Sequence, residues 1–140
     1  MEQSRKDERK EQILNAALLV LVEKGYESSR IDDIVAKSSL SKGAIYWYYK
    51  SKKEIYLDLV NFWVLRYSAF LNHIVEKDAL PSQQLQDLFQ YFIDQYESNP
   101  EPFKVLAEFW SMVGKDEDFK DKLQTVYSNF QALVATIISA

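Results

Sequence analysis

Hydrophobic positions recur along this chain at intervals of three and four residues, the period of amphipathic helices. The first predicted helix begins near Arg5 to Asp7, passes through the dense apolar segment Ile13–Val22 and ends at Glu23 and Lys24, with Gly25 as a left-handed cap residue. Its middle is apolar around most of its circumference, so this helix should be central to a small bundle. The predicted core contacts of this helix are Ile13, Ala17, Val20 and Leu21.

Two short helices follow, separated by a tight turn. The second helix begins after Ser29, which forms a capping-box pattern with Asp32, and ends near Lys37. Residues 38–40 leave room only for a turn, and Ser41 is a plausible N-cap for a third helix through Tyr48 or Tyr49. This spacing is the plan of a helix-turn-helix.

The rest of the chain also follows a helical pattern. A capping box from Ser51 to Glu54 starts a fourth helix at Lys52 that runs to about Val75. Later helices are predicted over about Gln83–Glu97, about Pro102–Val113, and from Asp116 to the end. The fold class is therefore all-α: a helix-turn-helix domain at 1–56 and a helical C-terminal domain at 57–140, linked by the long fourth helix. The apolar face still open at Ala140 indicates a C-terminal domain that is cut short.

Composition and charge narrow the class of protein. The chain is 47% hydrophobic and 27% charged, as in ordinary globular proteins, and it has no Cys, which suits the cytoplasm. The net charge of −4 is unevenly placed: residues 1–56 hold 11 Lys+Arg against 9 Asp+Glu, and residues 57–140 hold 6 against 12. Between Lys37 and Lys53 there are five Lys and no acid. Such a local basic patch can steer DNA to one face of an acidic protein.

The third helix carries residues suited to a DNA groove. Its inward positions are Leu40, Ile45 and Tyr49, which leaves Lys42 and several aromatic rings outside. Lys can donate to guanine, small side chains permit close approach, and Tyr and Trp can contact thymine methyls or phosphates. Lys52, at the start of the next helix, and Ser29 with Arg30, at the start of the second, are predicted phosphate clamps. The full set of predicted DNA contacts is Ser29, Arg30, Lys42, Gly43, Ala44, Tyr46, Trp47, Tyr48 and Lys52.

Residues 1 to about 60 resemble the N-terminal domain of the TetR family of bacterial transcriptional regulators. The matching stretches are Ile13–Tyr26, Arg30–Ala36 and Leu40–Ile55. The resemblance implies that the predicted contacts bind double-stranded DNA at a near-palindromic operator, as a homodimer of the full-length protein. Two residues depart from the family pattern: Ser39 stands where Gly is usual, and Tyr49 where Phe is usual.

The aromatic residues of the C-terminal part permit two readings. Their ordinary role is core packing. The resemblance implies a second role, a cavity for a small-molecule inducer, and aromatic rings near Asp94 or Glu108 would suit an apolar or cationic one. The candidate ligand residues are Trp63, Tyr67, Phe89, Phe92, Tyr96, Phe109, Trp110 and Tyr127.

The predicted function is a ligand-responsive transcriptional repressor. The alternative is an architectural or partner-regulated DNA-binding protein without a small-molecule switch. A lone His73 and the lack of any catalytic arrangement argue against an enzyme, and no cofactor, metal site or membrane segment is expected. This shortened chain is expected to be a monomer, a misassembled dimer, or a dimer through an exposed face of Val126, Leu133 and Ile137.

Overall fold

A computed structural model describes residues 1–139, and for residues 66 and 67 it describes the backbone only. The helices are α1 (Glu2–Ser28), α2 (Ile31–Ser38), α3 (Lys42–Tyr48), α4 (Lys52–Glu76), α5 (Pro81–Ser98), α6 (Glu101–Met112) and α7 (Glu117–Ile138). No strand occurs among residues 1–139, and the predicted all-α class is confirmed. None of the described helices is long and apolar enough to cross a membrane.

The chain divides into two compact units, Met1–Asn61 and Phe62–Ala140. The division falls inside α4, five residues after the boundary that the sequence suggested at residue 56. The N-terminal unit is built around α1, whose predicted core residues Ile13, Ala17, Val20 and Leu21 are all buried. Ile34 of α2, Ile45 of α3 and Ile55 of α4 have no exposed surface and complete this core.

The boundaries of two helices in the N-terminal unit differ from the prediction. Helix α1 begins three residues before Arg5 and continues to Ser28, but Gly25 interrupts it with a φ of 76°. The positive φ is the conformation predicted for Gly25, and only glycine adopts it without strain. Helix α2 is capped at Arg30, not at Ser29: the Arg30 amide donates to Asp33 Oδ2 at 2.9 Å. The capping-box prediction for Ser29 and Asp32 is therefore wrong by one residue.

The C-terminal unit contains α5, α6, α7 and the later part of α4. One buried cluster joins Ile74, Leu88 and Ile137, from α4, α5 and α7. In α6 and α7, the buried rings of Phe109 and Phe119 stack with centroids 5.9 Å apart. Helix α7 starts at the predicted cap, since Asp116 Oδ1 accepts from the Asp118 amide at 2.9 Å. The burial of Ile137 also shows that the suggested dimer face of Val126, Leu133 and Ile137 is not an exposed face.

Candidate nucleic-acid interface

The turn between α2 and α3 is fixed by its serines. Ser38 Oγ donates to the Val35 carbonyl and accepts from the Leu40 amide, both at 3.1 Å. The Ser38 carbonyl in turn accepts from Gln12 Nε2 of α1 at 2.6 Å. Ser39 adopts a left-handed conformation, with φ 60° and ψ 19°. These bonds hold the start of α3 at a defined angle to α2, as a helix-turn-helix requires.

Helix α3 turns one face inward and leaves the other in solvent. Ser41 is its N-cap, as predicted, and accepts from the Ala44 amide at 3.1 Å. Ile45 and Tyr49 are buried, at 0% and 5% exposure. On the opposite side Trp47 is 83% exposed and Tyr46 is 45% exposed.

Two small residues of α3 accompany these exposed rings. Gly43 is exposed, and a Cβ added there would meet no atom within 4 Å, so nothing inside the described chain requires a glycine at this position. Ala44 is half-buried, like Tyr48 four residues later. Gly43 and the exposed rings of Tyr46 and Trp47 therefore lie on the solvent side of α3.

The Lys42 side chain is exposed but carries a partner. Its Nζ lies 2.9 Å from Oδ1 of Asp32 on α2, and the two side chains are 54% and 73% exposed. The hydrogen bond and charge of Asp32 raise the pKa of Lys42 above its usual value. Sequence reasoning placed Lys42 correctly on the outer face and missed Asp32, which it treated as a capping residue.

Ser29 and Lys52 lie where the sequence placed them, before α2 and at the start of α4, and their side chains bond within the protein. Ser29 is 2% exposed, and its hydroxyl donates to the Tyr26 carbonyl at 2.8 Å. Lys52 Nζ donates to the carbonyls of Tyr26 at 2.7 Å and Ser29 at 3.1 Å, and it lies 4.4 Å from the centroid of the Tyr26 ring. An ammonium has three donors, so two are used within the protein. Arg30, by contrast, is exposed at the start of α2.

The predicted ligand residues do not come together around one cavity. Phe109 is buried against Phe119, and Phe92 packs against Phe130 with centroids 5.9 Å apart. The remaining described members differ in exposure: Trp63 is half-buried, while Phe89, Tyr96, Trp110 and Tyr127 are between 44% and 64% exposed. The side chain of Tyr67 lies outside the described residues. For Phe92 and Phe109 the ordinary reading, core packing, describes what the structure shows.

An open groove of about 430 Å³ lies along α5. Phe89 and Ile93 line it together with Asp87 and three glutamines, so Phe89 is the one predicted ligand residue in its lining. Among the described residues, no group of His, Cys, Asp and Glu could hold a metal ion.

The turn, the buried face of α3 and its exposed basic and aromatic face define a helix-turn-helix DNA-binding protein. Residues 13–59 match the family model of bacterial regulatory proteins, tetR family. The chain is similar to this TetR family over residues 13–59, as its resemblance suggested. It is therefore a DNA-binding transcriptional regulator.

Individual relatives agree with this assignment. An HTH-type transcriptional regulator of Lactococcus lactis, from the lacX 3' region, is 28% identical over 94% of this chain and 68% of its own length. The Transposon Tn10 TetC protein of Escherichia coli is 27% identical over 90% of this chain and 64% of its own length. This chain thus spans about two thirds of these relatives.

A solved structure shows the same fold. The TetR transcription regulator from Haloarcula marismortui superimposes with a TM-score of 0.85 at 23% identity, covering 95% of this chain and 70% of that one.

Proposed function

We propose that the exposed face of α3 reads an operator in the major groove and that the bound protein represses transcription. The exposure of Trp47 and Tyr46 beside Lys42 on a helix-turn-helix carries this proposal. Exposed rings of this size cost solvation free energy, and an interface that covers them recovers it. Lys42 donates to guanine, Tyr46, Trp47 and Tyr48 contact thymine methyls or phosphates, and Gly43 and Ala44 allow close approach.

The phosphate clamps divide into two kinds. Arg30, exposed at the start of α2, contacts the backbone directly. Lys52 joins the end of α1 to the start of α4 through two carbonyls, and one of its donors is left for a phosphate. Ser29 acts through its carbonyl on Lys52 and not through its buried hydroxyl. The domain 1–56 therefore keeps the DNA-binding role that the sequence suggested, with Ser29 moved to a supporting one.

We base the proposal of repression on the role named for one relative. The icaADBC negative regulator IcaR of Staphylococcus aureus is 28% identical over 62% of this chain and 45% of its own length. Another relative, FasR of Mycolicibacterium smegmatis, is named as a transcriptional activator. It is 27% identical over 74% of this chain and 47% of its own length. The protein acts in the cytoplasm, where its DNA lies, and we assign it no catalytic activity.

Two protomers would place their α3 helices in successive major grooves of a near-palindromic operator. Sedimentation of the protein with and without operator DNA tests the homodimer. A complex of one protomer per operator would contradict it.

The experiment that tests the reading face is selection of DNA by the protein, followed by titration of variants on the selected site. Tyr46→Ala, Trp47→Ala and Lys42→Ala should each weaken binding about 5- to 150-fold, the range for a specific base contact of 1–3 kcal/mol. Lys24→Ala is the matched control, because Lys24 lies outside the basic stretch Lys37–Lys53, is also exposed and also pairs with a carboxylate, Asp33, at 2.9 Å. Variants of α3 that bind as tightly as the Lys24 variant would overturn the assignment. A reporter gene under the selected operator gives the sign of regulation.

A small-molecule response of the C-terminal unit is a second proposal. A Saccharomonospora viridis protein with this fold, at 20% identity and a TM-score of 0.84 over 95% of this chain and 69% of that one, was solved in complex with choline. The α5 groove holds the aromatic ring of Phe89 and the carboxylate of Asp87. Asp87 accepts from Gln83 Nε2 at 2.9 Å and lies 3.5 Å from Lys77 Nζ, so an organic cation would take the place of Lys77 beside it. In a thermal-shift screen, a compound that raises the melting temperature and releases operator DNA supports this role. A stabilising compound that leaves DNA bound would favour the partner-regulated alternative.

A further inference from the structure

The first turns of α1 separate their charges onto two sides of the helix. At about 100° per residue, Arg5, Lys6 and Arg9 lie within about 100° of one another around the helix axis. All three are exposed, and we call them the α1 strip. Glu2, the first residue of the helix, shares their side. The other carboxylates of these turns lie on the opposite side: Asp7, Glu8 and Glu11.

The α1 strip does not stabilise the helix that carries it. No ion pair in residues 1–139 includes Arg5, Lys6 or Arg9, whereas Lys24, Lys37 and Lys42 are each paired with a carboxylate. Arg5 and Arg9 are four residues apart, so two like charges are neighbours on the helix surface, which is unfavourable. Arg5, at the end of the first turn, also opposes the positive end of the helix dipole. The strip therefore suits an anionic ligand better than it suits the fold.

Two contacts show which way the α1 strip faces. Gln12 Nε2 donates to the Ser38 carbonyl, in the turn before α3, at 2.6 Å. Lys10 Nζ lies 5.7 Å from the centroid of the Tyr49 ring, at the end of α3. The side of α1 between Gln12 and Lys10 therefore faces the turn and α3, and Ile13 on this side is fully buried. The strip lies on the same side, one to two turns earlier, where the helix is exposed.

The α1 strip faces in the direction of DNA that is bound to α3. Ile45 and Tyr49 point from α3 into the core around α1, and Trp47 points away from it, so α1 lies behind α3 as seen from the DNA. The strip extends about 6–12 Å beyond Ile13 along α1, at 1.5 Å per residue. The major groove that α3 would occupy is about 12 Å wide, so its phosphate walls lie within reach of long Lys and Arg side chains.

We propose that the α1 strip binds phosphates on a wall of the groove that α3 reads, in addition to the clamps Arg30 and Lys52. This inference rests on the proposed DNA-reading role of α3. Guanidinium and ammonium groups donate to phosphate oxygens without reading sequence, so the strip adds affinity for operator and non-specific duplexes alike. It is also a source of counterion release that the paired lysines of this unit do not provide.

The test measures affinity over a range of salt for Arg5→Gln, Lys6→Gln, Arg9→Gln and the triple variant, on a selected operator and on a non-specific duplex. Each single substitution should flatten the slope of log affinity against log salt by about 0.9 per protomer, and the triple variant by about 2.7. Between 1 M and 0.1 M salt, a slope of about 0.9 is worth an eightfold change in affinity. The matched control is a triple Gln variant of three exposed lysines in the other unit: Lys104, Lys115 and Lys120. It removes the same charge and should flatten the slope much less.

Ethylation of single operator phosphates locates the contacts. Some phosphates should weaken wild-type binding when ethylated and leave binding of the triple variant unchanged. An interference pattern that is the same for both proteins, a wild-type salt slope in the triple variant, or an equally flat slope in the control variant would overturn the inference.

Two further outcomes separate this inference from folding and from the proposed function. The triple variant should melt no lower than wild type, because it loses repulsion between like charges. A lower melting temperature together with lost affinity would show that the strip stabilises α1, which also overturns the inference. A wild-type protein that selects no operator refutes the proposed function itself, whereas Lys42-dependent operator binding with an unaffected triple variant refutes only the α1 strip.

Discussion

Ser39, in the turn before α3, is a position where a substitution should stabilise the protein. Within residues 1–139 it is the only non-glycine residue with a positive φ, at 60°. A left-handed conformation costs an L-residue about 1–2 kcal/mol, and glycine avoids this cost. Glycine also gives the unfolded chain more entropy, which opposes the gain by about 0.4–1 kcal/mol. Ser39→Gly should therefore raise the free energy of unfolding of the Met1–Asn61 unit by about 0.5–1 kcal/mol.

The assay is urea denaturation monitored by hydrogen exchange at the amides of α2 and α3. These amides report on the unfolding of the N-terminal unit alone. Ser39→Ala is the matched control: it removes the exposed hydroxyl but keeps the Cβ that causes the strain. The alanine variant should unfold at nearly the urea concentration of wild type. If the glycine variant were no more stable than the alanine variant, the left-handed conformation would not carry the cost that we assign to it.

Three further predictions concern α3, the end of α4 and the N-terminal core. Gly43→Ala should stabilise α3 by up to about 1 kcal/mol, since its Cβ meets no atom within 4 Å, yet weaken operator binding; unchanged affinity in a DNA titration would refute close approach. The Gln84 side chain is only 6% exposed and donates to two carbonyls at the C-terminal end of α4. Gln84→Ala should therefore lower the free energy of unfolding by about 1–3 kcal/mol, measured by thermal denaturation. Gln83→Ala, at the exposed neighbouring position, should lower it much less. Equal losses of stability in the two variants would show that the Gln84 hydrogen bonds do not stabilise the end of α4. Burial raises the pKa of Tyr56 to about 12, so its neutral form stabilises the fold fully below pH 10 and that stability is lost as pH rises toward 12. Stability measured between these pH values should fall less steeply in Tyr56→Phe than in wild type, and parallel profiles would count against this.

Most of the fold could be predicted from hydrophobic periodicity and from capping residues. The inward positions of α1 and α3 were predictable because a helix repeats every 3.6 residues, and Ile13, Ala17, Ile45 and Tyr49 are buried as expected. The cap of α2 was missed for a simple reason. Ser29 and Asp32 have the same spacing as Arg30 and Asp33, and only the burial of Ser29 decides between the two pairs.

Contacts between helices could not be read from the sequence. The bonds of Lys52 to Tyr26 and Ser29, and of Lys42 to Asp32, depend on how α1, α2, α3 and α4 are packed. The aromatic residues of the C-terminal unit show the same limit. Spacing assigns each ring to a side of its helix, but it does not say how far a neighbouring helix covers that side. Phe109 is fully covered, whereas Tyr96 stays 59% exposed although Phe103 of α6 packs edge-on against it.

The ion pairs of the N-terminal unit explain how an acidic protein can be a selective DNA binder. Lys24 pairs with Asp33, Lys37 with Glu23 and Lys42 with Asp32, each at 2.9 Å. A cation already held by a carboxylate contributes less to counterion release on any DNA, because the partner's charge partly replaces that of the phosphate. Affinity from phosphates alone is then low for one protomer. In the function that we propose, the exposed rings of α3 and the pairing of two protomers supply the remainder, and both would depend on operator sequence and spacing.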